Sequence, residues 1–232
     1  DPTSAQREGP RQGNQLLLAG WSRVGGYLGL PPRRALDYRQ PQALRLAGAR
    51  WVTPAARGDT APLSFDKVDQ PLPHARLVTH AVYSTTPAGD LAQIDVDRTA
   101  LVDVPLQLPA GEPGEVQLLA RSPGQLAWVT IAPSRQLLVV AESFHDGWQA
   151  FLDGRPAPLR RVNGDFIGCE VPAGRHQVEL FFRPASLRKG QTFTWCGLGL
   201  MVCGLLATHR GRNRVRPQRK MPGTADEKRG SR

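Results

Sequence analysis

Leu137–Phe182 reads LLVVAESFHDGWQAFLDGRPAPLRRVNGDFIGCEVPAGRHQVELFF. Short apolar or alternating runs are broken here at close intervals by turn-forming residues. Gln136–Ser143 opens as a β-branched run, and Trp148–Leu152 alternates up to Asp153-Gly154, a dipeptide that favours a two-residue hairpin loop. Ala157–Val162 and Phe166–Val171 follow. Pro172-Ala173-Gly174 then turns the chain into the alternating His176–Arg183. Working outward, Ala75–Ser84, Ala100–Val104, Glu115–Arg121 and Leu126–Ala132 carry the same pattern. With 24 Gly and 21 Pro in 232 residues, many short strands joined by turns fit better than long helices. The class expected is mostly β, a sandwich or jelly roll over 75–187.

The flanking regions differ. Residues 15–74 read as a small α/β part with a linker: a helix within Arg39–Ala49, a short strand at Ala49–Val52 and a Pro- and Asp-rich linker over 54–74. Residues 1–14 are polar and start at Asp1, with no apolar run long enough for a signal peptide, so they read as a disordered or truncated start. If the β region lies outside the cytoplasm, an upstream segment is expected to export it.

At the other end Thr192–Ala207 (TFTWCGLGLMVCGLLA) holds no charge, while Arg188 and Lys189 precede it and a basic cluster follows. A transmembrane helix is expected over 188–209, with Trp195 near its first end where an interfacial indole would lie. Gly197, Gly199 and Gly204 with Cys196 and Cys203 would suit packing against other spans or simply fill a lone anchor. The formal charge of +10 is concentrated in the tail: residues 209–232 hold nine Lys/Arg against two acids. That distribution argues against a nucleic-acid-binding face and, by the positive-inside rule, puts a disordered basic tail over 210–232 in the cytoplasm and residues 1–187 outside. Cys169, Cys196 and Cys203 fit no metal or redox spacing, and no metal site or cofactor is expected.

Several elements of this pattern resemble the C-terminal region of the YfhO-type bacterial membrane proteins. They are Glu142-Ser143-Phe144, Gly147-Trp148, Asp153-Gly154 and Pro172–Leu180, followed by an apolar helix, with Asn163 where that family commonly has an Asn. Gly25-Gly26-Tyr27 with Ala43–Val52, and Arg98–Val102, resemble its upstream strands more weakly, and His145-Asp146 stands where a Tyr-Pro pair is usual. The resemblance implies a large multi-span, GT-C-like glycosyltransferase using polyprenyl-phosphate sugars, whose catalytic acids lie in loops between early spans that this chain does not contain. The bilayer, other transmembrane helices of the parent protein, and lipid-linked sugar or surface glycan are the implied partners.

No catalytic residue is assigned in the chain itself. Trp148 is the one candidate glycan contact, as a stacking platform, with a core position the competing reading. Asp153 and Asp165 suggest an acid pair, but Asp153 precedes Gly154 in a turn, where Asp bonds its own backbone. Ser143, His145 and Asp146 are near neighbours on one strand end and do not make a triad by proximity. His176 reads as a hydrogen-bonded structural residue or a ligand. The alternative to a glycosyltransferase accessory domain is a single-anchor module that binds glycan or plays a structural role.

Overall fold

The computed structural model describes residue 24, residues 36–52 and residues 65–214, apart from the side chains at 188 and 207–214. The expectations for 1–14, for most of 15–35 and for 53–64 lie outside the described residues, as does the tail from 215 on. The chain divides into two units, one ending at Pro184 and one beginning at Ala185.

The first unit is mostly β, as expected. It begins with helix α1 (Pro41–Leu46), which Pro41 starts at a position where its missing N–H costs nothing. Short strands β1 (Trp51–Val52) and β2 (Asp66–Lys67) pair antiparallel, so the stretch read as linker contains a strand. Then come β3 (Ala75–Val78), β4 (His80–Tyr83), the single-turn helix α2 (Pro87–Asp90) and β5 (Thr99–Val102). They are followed by β6 (Glu115–Ser122), β7 (Gln125–Ala132), β8 (Gln136–Ser143), β9 (Trp148–Leu152) and β10 (Arg155–Ala157). The last three are β11 (Leu159–Val162), β12 (Phe166–Val171) and β13 (Gly174–Phe182).

The strands form a five-stranded sheet, β10-β9-β13-β7-β6, and a six-stranded sheet, β3-β8-β12-β11-β5-β4. One apolar cluster takes Leu126, Trp128, Val178 and Leu180 from the first sheet and Leu77, Leu138, Val140 and Ile167 from the second. A second cluster joins Val78, Leu101, Leu137 and Val139 of the six-stranded sheet to Leu36, Ala43, Leu46 and Leu91. That sheet is therefore covered on both faces. This explains why β3 and β5 are buried at every position and β8 at its first five, rather than at alternate ones.

Two expected strands divide. Ala75–Ser84 becomes β3 and β4, at opposite edges of the six-stranded sheet. The break at Thr79 is held by Thr79 and His80 N–H groups donating to the Arg98 carbonyl at 3.2 and 3.1 Å. Ala157–Val162 yields β11 after a break at Pro158, whose ring carries no N–H for a ladder. The Asp153-Gly154 hairpin forms as expected, with φ of +48° and +77° and Leu152 opposite Arg155.

The second unit is helix α3 (Ala185–Arg214), 30 residues. Helix is present throughout the predicted span and extends five residues beyond it, so the first part of the expected tail is helical rather than disordered. The transmembrane expectation needs correction. Among the described residues no helix is long and apolar enough to cross a membrane. Lys189, Gln191, Thr192 and Thr194 and four glycines dilute the apolar content of this stretch, and side chains 207–209 of the predicted span lie outside the described ones. Phe193 (76%), Trp195 (71%) and Leu200 (75%) are nonetheless exposed, so this unit leaves its large apolar side chains uncovered.

Candidate functional site

A group of polar side chains, with Asn163, Asp165 and Ser84 buried, surrounds the β11–β12 turn. Asn163 and Gly164 both take positive φ (+46° and +82°), as an Asn-Gly pair readily does. Asn163 is fully buried. Its N–H donates to the Leu101 carbonyl at 2.7 Å, and its Oδ1 accepts the Leu101 N–H at 2.9 Å. One residue thus continues the sheet pairing past Val162, where β11 meets β5. The Asn163 Nδ2 has no acceptor among the described residues.

Asp165 closes the turn. Its carboxylate accepts from the Arg161 guanidinium and the Ser143 hydroxyl, while its backbone carbonyl accepts the Phe144 N–H at 2.7 Å. Burial pushes this carboxyl above the usual range, against the pull of Ser143 and Arg161. The Arg161 guanidinium carbon also lies 4.5 Å from the Phe144 ring centroid. A shallow cleft opens here, lined by Ser84, Leu101, Asp103, Arg161 and Gly164 among others. The Ser84 hydroxyl donates to Asp90 at 2.6 Å. The group offers polar contacts, two of them hydroxyl–carboxylate bonds, Ser84 to Asp90 and Ser143 to Asp165.

The residues singled out in the sequence fall elsewhere or serve locally. Trp148 is half-buried, with its indole N–H donating to the Ser143 carbonyl at 3.2 Å and its ring 5.1 Å from that of Phe182. His145 packs edge-on to Phe182 at 5.3 Å, which makes an aromatic trio. The His145 Nδ1 accepts the Gly147 N–H at 2.8 Å, so this ring is turned to its own loop rather than to Ser143. Asp153 and Asp165 sit in turns of different sheets, each with its own partners. Asn163 was read only for its place in the family pattern, although Asn163-Gly164 is itself a hairpin signal.

His176 and Asp153 form a latch. The His176 Nδ1–H donates to Asp153 Oδ2 at 2.6 Å and Nε2–H to the Ala173 carbonyl at 3.1 Å, a pattern that needs the doubly protonated ring. The other Asp153 oxygen accepts the Gln177 N–H at 2.8 Å. The Asp153 carboxylate raises the His176 pKa, and His176 lowers that of Asp153. A His with a raised folded pKa contributes stability fully below its unfolded value of about 6.5, and loses it as pH rises through the folded value. Asp153 acts in the opposite sense, contributing above about 3.9 and losing it only as pH falls through its depressed folded value. His176→Gln should therefore cost most near pH 5–6, about 0.5–1 kcal/mol for so exposed a pair, and least in alkaline buffer. Melting curves of both proteins at pH 5.5 and 9 check this; a pH-independent difference would refute the latch.

Cys169 is buried on β12, where burial pushes its thiol up to about 12 and makes it inert. Cys196 and Cys203 are free and exposed on α3.

The family model described as bacterial membrane protein YfhO matches residues 126–194. No curated protein and no solved structure matches the chain. The matched stretch starts in β7, contains β8 to β13 and ends inside α3. Residues 126–194 are therefore similar to the YfhO type, a family described as bacterial membrane proteins.

Proposed function

We propose that the β unit is the extracytoplasmic accessory domain of a YfhO-type membrane protein, a β-sandwich, and that α3 is its last membrane helix. The observation that carries this reading is the extent of the family match, which runs without a break from the β strands into the helix. The exposed apolar side chains around α3 support it. So do Gly197, Gly199 and Gly204, which permit close approach to other helices. Arg210, Arg212 and Arg214 set the orientation, tail inside and β unit outside.

In this reading the whole protein transfers sugar from a polyprenyl-phosphate donor with catalytic acids outside this chain, and the β unit shapes the acceptor side. Carbonate washing of membranes from producing cells should leave the chain in the pellet, and external protease on spheroplasts should reach the β unit but not the tail. Release of the chain by carbonate would sink the membrane assignment. Deleting residues 75–187 from the whole protein should abolish transfer without releasing it from the membrane; unchanged transfer would remove the accessory role.

The trio His145, Trp148 and Phe182 favours a second reading, a tethered glycan-binding module. Phe182 and His145 are exposed, and the half-buried Trp148 offers the remaining edge of a stacking surface. Trp148→Ala should then lower retention on immobilised cell-wall polysaccharide about tenfold, with the β spectrum retained. Equal retention of both proteins discards this reading.

A further inference from the structure

Strand β3 carries a buried cation. Ala75 and Leu77 face the core shared by the two sheets, so Arg76 points to the opposite side with Val78, beside its cross-strand neighbour Val139. Arg76 is only 7% exposed, and none of its three guanidinium nitrogens meets an acceptor among the described residues. Five N–H donors in a rigid planar fork are thus withdrawn from water without partners among the described residues, and a guanidinium left in that state costs more than almost any other side chain.

The charges that act on it leave an imbalance. The Asp97 carboxylate favours its charged form and Arg45 opposes it. Asp97 is already committed, because Arg45 NH2 donates to both its oxygens at 3.0 and 3.1 Å while Arg45 Nε donates to the Gln70 carbonyl at 3.0 Å. Arg76, Arg45 and Asp97 together carry one positive charge in excess. Burial lowers the Arg76 pKa to about 10, still high enough to keep it charged at neutral pH. The Arg45 and Asp97 side chains are themselves partly exposed, at 21% and 50%.

We propose that Arg76, flanked by the Arg45–Asp97 pair, is the anchor of a binding site for a small oxyanion, a carboxylate or phosphate group held through the guanidinium fork. Such a group supplies both missing features, one negative charge and two or more acceptor oxygens set to the spacing of the fork. Chloride supplies the charge but not the geometry. The site is independent of the sugar-transfer reading, since it depends on the β unit alone.

The test is thermal unfolding of the full chain in detergent at pH 7 and constant ionic strength, with chloride replaced stepwise by inorganic phosphate and, separately, by acetate. At about a hundred times the dissociation constant, linkage raises the melting temperature by roughly 5–10 °C for a unit of this size. Arg76→Met keeps the apolar volume and should melt at one temperature in all three salts. Arg76→Lys keeps the charge without the fork and should show a smaller shift than the natural protein. Two results would overturn the proposal: a natural protein indifferent to both oxyanions, or an Arg76→Met protein that responds as strongly as the natural one. The first needs no variant and so survives any failure of a variant to fold.

Discussion

Trp128→Ala is expected to cost about 3–5 kcal/mol, a large share of the 5–15 kcal/mol by which a domain of this kind is stable. The side chain is 1% exposed and lies in the cluster shared by both sheets. Strand β7 is central in its sheet, with Val178 of β13 on one side of Trp128 and Leu118 of β6 on the other. The ring also stacks on His74, with centroids 6.3 Å apart, and so ties the approach to β3 to the opposite sheet. Removing it leaves a cavity that the sheets cannot readily close, because β7 is held in register by β13 on one side and β6 on the other. The melting temperature should fall by roughly 6–20 °C. Trp148→Ala, at a half-buried ring, should cost clearly less. If the Trp128 variant lost under about 1 kcal/mol, the two sheets would not share the core described here.

How much of this was legible in the sequence depended on where the punctuation fell. Gln136–Ser143, Trp148–Leu152 and Phe166–Val171 are strands with the bounds expected, because turn residues such as Asp153-Gly154 and Pro172–Gly174 stop them within a residue or two. The break at Thr79 has no such mark. Local residues continue the apolar run, and the two N–H groups that end β3 and begin β4 find their acceptor on Arg98, about 20 residues away. Only the tertiary structure supplies that contact.

Sites were harder to read than strands. An Arg on a strand is normally assigned to the solvent face, and nothing near Arg76 in sequence shows that the fold buries it to 7% exposure. Asn163-Gly164 did carry a local signal, but its burial against Leu101 depends on the pairing of β11 with β5. The helical residues beyond 209 were read as tail because basic content suggested disorder. Arginine is in fact a good helix former, and nothing before Arg214 breaks the helix already under way.

The second large effect is expected at the middle of α3. Leu200→Arg should release the chain from membranes, whereas Gln191→Arg, near the start of the apolar stretch, should not. In the proposed membrane reading, a 30-residue helix of about 45 Å exceeds the roughly 30 Å of a hydrocarbon core, which would put residues near Gln191 at the interface and Leu200 deep. An arginine at depth costs about 2.5–3.5 kcal/mol in insertion, on the order of a hundredfold in partitioning, and one near the boundary extends its charge to the headgroups at little cost. The already modest hydropathy of the helix makes it sensitive to such a change. Because the β unit ends at Pro184 and α3 forms a unit of its own, the β spectrum and the Trp128 fluorescence should be the same in both variants. A released chain with an intact β unit would identify the helix as what holds it to the bilayer. If Leu200→Arg stayed in the carbonate-washed pellet as fully as the natural protein, α3 would not be a membrane helix. Its exposed apolar residues would then need a protein partner.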